Sequence, residues 1–63
     1  MNMYTFDIAR ILEIDIEEAV KVHAFIEEWF DDFRFGSATN AQFARVAREA
    51  QAMMADPMFK AGA

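Results

Sequence analysis

A chain of 63 residues without cysteine has room for one domain at most, and it excludes disulfides and thiolate zinc sites as staples. Eleven carboxylates against six Lys and Arg leave a net charge of −5, which disfavours phosphate backbones and anionic lipid as direct partners. No apolar run reaches 18 residues and the start is not basic-then-apolar, so neither a membrane span nor a secretion signal is expected, and the location expected is cytoplasmic.

A domain this short usually needs extra stabilisation. With no cysteine and one histidine, that leaves tight helix packing and oligomerisation. Apolar residues make up 56% of the chain, more than a tiny core can hold, so some are expected to face another chain. A second copy of the chain is the simplest such partner.

The first helix is expected near residues 6–13. Thr5 would cap it, Asp7 would suit its positive end, and Tyr4, Ile8, Ile11 and Leu12 would form its buried stripe. The second helix is expected near 16–34, opened by Asp15 and Glu18 in a capping-box pattern. Ile16, Ala19, Val20, Val22 and Ala24 spread over about 200° of its wheel, which implies two neighbouring elements. Gly36 is expected to stop this helix in the left-handed conformation. Phe35 falls on the acidic side of the wheel, at a frayed end, folded back or offered outward.

The third helix is expected near 40–55, with Thr39 and Gln42 as a second capping box. Phe43, Val46, Ala47, Ala50, Met53 and Met54 form its inward stripe. Asp56-Pro57 ends it and suits the start of one more turn, from which Met58 and Phe59 would fold back; residues 60–63 read as a loose tail. Short joints make consecutive helices neighbours. The fold class is therefore all-α: a compact three-helix unit, with the last two helices near antiparallel.

The densest chemistry lies between Phe25 and Phe35, where five aromatic residues and four carboxylates occupy eleven positions. On a continuous helix, Phe25, Ile26, Trp29, Phe30 and Phe33 share an arc of roughly 140°, and Glu27, Glu28, Asp31 and Asp32 share the opposite one. Like charges at i,i+4 destabilise a helix slightly. A solvated outer face is the plain explanation. The sharper one is a docking surface: Glu27, Glu28, Trp29, Asp31, Asp32 and Phe35 as aromatic anchors ringed by charge, fitting a basic groove. If that groove belonged to a nucleic-acid-binding protein, the face would mimic DNA.

His23 precedes Glu27 by one turn. One histidine without a Glu-x-x-His pattern supports no metal site, and a hydrogen bond to Glu27 is expected instead. Arg45 and Arg48 lie together on the third helix and suggest self-association against the acidic face of a second copy. No nucleophile–base pair and no glycine-rich phosphate loop is present, and so small a chain leaves little room for a ligand pocket of about 300 Å³.

Residues 5–24 faintly resemble the helix-turn-helix of DNA-binding regulators, with Ala9 in the first helix and Ile14, Ala19 and Val22 where the second would pack. The resemblance fails at its chemistry. Glu13 stands where glycine is usual, and the would-be recognition helix opens Asp15-Ile16-Glu17-Glu18, with only Lys21 basic. The reading favoured is a non-catalytic acidic module, without cofactor, that binds and blocks or modulates a larger protein complex. It has the style of small phage and mobile-element inhibitors. A structural subunit of a larger complex is the alternative, and a degenerate helix-turn-helix regulator the next.

Overall fold

The computed structural model describes residues 3–58. Three helices, α1 (Met3–Leu12), α2 (Ile16–Trp29) and α3 (Asn40–Ala55), pack against one another, with a single 3-10 turn at Phe35–Ser37. Among the described residues there is no strand, so the fold is all-α as expected. Among the described residues, no helix is long and apolar enough to cross a membrane.

Helix α1 starts earlier than its sequence signals suggest. Thr5 lies inside the helix and is buried rather than capping it. Tyr4 gains by being helical, because its ring then reaches Phe35 and Phe43. The helix ends at Leu12, and Glu13 takes the left-handed conformation with φ 56°. The Ile14 N–H donates back to the Ala9 carbonyl at 3.0 Å, the six-to-one bond of a Schellman cap. Ala9 and Ile14 both pack on the core, which gives this cap its apolar contact.

Helix α2 opens as expected: the Glu18 N–H donates to the Asp15 carboxylate at 2.9 Å, and Glu17 and Glu18 occupy the positive end. It closes five residues earlier than the expected 34. Phe30 is its C-cap, donating its N–H to the Ile26 carbonyl at 2.9 Å, and the Phe33 N–H turns back to the Phe30 carbonyl at 3.0 Å. Two physical causes act together. Asp31 and Asp32 are poor helix formers at the negative end of a helix dipole, one turn beyond two more carboxylates. And a continuous helix would aim Phe35 at solvent, whereas the break lets it return to the core.

Helix α3 keeps its expected bounds. Both halves of its capping box are present: the Gln42 N–H donates to Thr39 Oγ1 at 3.1 Å, and the Thr39 N–H to Gln42 Oε1 at 2.9 Å. The end of α3 (Gln51, Met54, Ala55) shares a groove with the start of α2 (Glu18, Lys21, Val22), so the two run antiparallel. Beyond it, the Met58 N–H donates to the Asp56 carboxylate at 2.9 Å. Met58 does not fold back; it is 84% exposed. The expected return of Phe59 and the tail 60–63 lie outside the described residues.

The core is Ile8 from α1, Ala19, Val22 and Ile26 from α2, and Phe43, Ala47 and Ala50 from α3. Phe35 extends it. Its ring stacks on Tyr4 (5.0 Å) and on His23 (4.9 Å), and meets Phe33 and Phe43 edge-on at 5.0 and 5.4 Å. Gly36, beside it, has no positive φ, contrary to the left-handed stop expected there. Capping falls to Phe30, so nothing at position 36 requires glycine's conformational freedom.

Candidate functional site

The early end of α2 redistributes the acidic residues. Glu27 and Glu28 stay on the last helical turn, and Trp29 is its final residue. Asp31 and Asp32 leave the helix and sit in the turn that follows. All four carboxylate residues are exposed. They form a cap of negative charge at the end of α2, and they are not the continuous helical face the wheel suggests.

Among the described residues, little balances that charge. The last turn of α2 has no basic residue, where cations would be stabilising. Arg34 is near, but its Nη1 donates to the Asp31 backbone carbonyl at 2.7 Å rather than to a carboxylate. Glu27 Oε1 lies 3.2 Å from His23 Nδ1. Among the described residues, the carboxylates of Glu28, Asp31 and Asp32 make no ion pair or hydrogen bond.

Trp29 stands among these acids with 52% of its surface exposed, stacked on Phe25 at 5.9 Å. It opens onto a cleft of about 510 Å³ lined by Trp29, Phe30, Asp31, Asp32 and Phe33. A second cleft of about 450 Å³ shares Asp32 and runs to α3, where Arg45 and Val46 line it. Both are open depressions of the surface rather than enclosed pockets.

The other expected site residues divide. Phe35 is half-buried in the aromatic hub and is not an outward anchor at the acidic cap. Arg45 borders the same cleft as Asp32. Arg48 is exposed on α3, and among the described residues neither arginine forms an ion pair. Sequence reading missed the Asp32–Arg45 cleft. The two residues are thirteen apart, and no local spacing rule joins them.

His23 makes the expected contact with Glu27, with its side chain only 12% exposed. Its Nε2 is buried without a hydrogen-bond partner, and the ring lies flat against Phe35. Among the described residues no group of three or more His, Cys, Asp or Glu side chains is placed to hold a metal ion. Compared with known proteins, the chain matches no family model, no curated protein and no solved structure.

Proposed function

We propose that this chain is a non-catalytic interaction module that docks the acidic, tryptophan-tipped end of α2 onto a basic surface of a larger protein and blocks or modulates it. One observation carries the reading: Trp29 is half exposed among four exposed carboxylates, three of which have no partner among the described residues. An aromatic side chain ringed by charge is a common hot-spot arrangement. Unbalanced charge at a helix end weakens the isolated fold slightly, a cost that a basic partner removes. A nucleic-acid-binding protein offers such a basic surface, and the acidic cap would then take the place of phosphates.

The test is affinity capture from host lysate with the wild-type chain and with Glu28→Lys/Asp32→Lys. The partner should be retained by the wild type, released by added salt, and lost with the variant while its circular dichroism stays helical. Equal capture by a folded variant refutes docking through this end of α2.

A second reading rests on different residues. Met3, Phe6 and Val20 are large apolar side chains, each at least 45% exposed on α1 or α2. A structural subunit whose permanent partner covers them accounts for the apolar excess. That reading requires the purified chain to aggregate or lose structure alone, and a well-behaved free protein counts against it.

A further inference from the structure

The cleft at the end of α2 has a composition that selects among basic side chains. We infer that the cleft lined by Trp29, Phe30, Asp31, Asp32 and Phe33 seats an arginine side chain of the partner protein. The inference deepens the docking reading and rests on it. Three features of the cleft converge. Three of the five residues lining this open depression are aromatic, and an indole is the best cation–π surface among side chains. Trp29 stacks on Phe25 at 5.9 Å, and about half of the residue is exposed. Asp31 and Asp32 also line it, and among the described residues their carboxylates make no ion pair or hydrogen bond.

The chain's own electrostatics point to the same occupant. The site lies at the negative end of α2, and no basic residue occupies the helix's last turn. The nearest arginine, Arg34, is engaged with the Asp31 carbonyl and leaves the carboxylates open. A guanidinium satisfies all parts at once: it is flat enough to stack on indole, and its donor fork matches carboxylate oxygens. An ammonium is more strongly hydrated and lacks the flat face, so lysine should bind more weakly.

Trp29 is the only tryptophan, so its fluorescence reports this cleft directly. The probes are capped pentapeptides of Gly and Ser with one central residue: arginine, lysine, or citrulline, which is nearly isosteric with arginine and uncharged. At low ionic strength the arginine peptide should change Trp29 emission saturably and bind several-fold more tightly than the other two. Asp31→Asn/Asp32→Asn should weaken it roughly tenfold, the worth of a charge-assisted hydrogen bond, whereas Glu17→Gln, at the far end of α2, should leave it within about twofold, since exposed distant charges are screened. The same double variant should melt at a higher temperature than the wild type, because it relieves charge crowding that serves only the partner.

Equal binding of the citrulline peptide, no saturable response, or an equal effect of Glu17→Gln overturns the inference. Equal binding of lysine overturns the choice of arginine. A lower melting temperature for Asp31→Asn/Asp32→Asn shows that the carboxylates serve the fold, and overturns it as well. If these fail while partner capture still depends on Glu28, the arginine seat is wrong and the docking reading stands. If capture is also independent of Glu28 and Asp32, both fall.

Discussion

Glu13 and Gly36 hold each other's expected backbone roles. Glu13 sits at φ 56°, where a side chain meets the following carbonyl, while Gly36 uses an ordinary φ. Glu13→Gly should therefore stabilise the fold by about 1 kcal/mol, raising the melting temperature by roughly 4–8 °C in so small a domain. Losing a negative charge at the C-terminal end of α1 acts in the same direction. At Gly36, a Cβ would meet only the Tyr4 hydroxyl oxygen, at an ordinary 3.6 Å. Gly36→Ala should then be neutral or stabilising by up to about 1 kcal/mol, since it restricts the unfolded chain. Thermal melts of the two variants check both; a loss of stability in either would mean its backbone environment is misread.

At the scale of elements, helix beginnings were legible where a side chain caps them, as was the end of α3 before Asp56-Pro57, whereas the end of α2 was not. Asp15 and Thr39 each announce a start because a short acceptor three residues before an N–H is a local device. Thr39→Ala removes the bond that the Thr39 hydroxyl accepts from the Gln42 N–H and should cost about 1 kcal/mol, read as a lower urea midpoint at unchanged slope. The end of α2 depended instead on a distant gain. Phe35 reaches Tyr4, His23 and Phe43, residues that no spacing rule connects to Asp31, so the wheel ran on past Trp29. For the same reason the acidic residues were legible as a set and their shape was not. Glu27 and Glu28 remain helical, while Asp31 and Asp32 lie in the turn and line the depression beside Trp29.

For the whole molecule, unspent groups remain on more than one face. Met3, Phe6 and Val20 are exposed, as are the acidic cap and Arg48. If copies associate through complementary charge, the wild type sediments as a homodimer and Arg45→Glu/Arg48→Glu as a monomer; an unchanged mass removes the two arginines from self-association. The aromatic hub constrains how the molecule forms at all. Phe35 bears on rings from α1, α2 and α3, so it finds its full set of neighbours only when all three are in place. A fragment ending before Phe43 leaves Tyr4, Phe33 and Phe35 without the ring they share, and no pair of helices reproduces the joint. Cooperative, all-or-none formation is the expectation, checked by coincident thermal transitions in circular dichroism and Trp29 fluorescence. A chain leaving the ribosome commits to its shape only after residue 43 has emerged, and until then its aromatic residues are open to whatever meets them first.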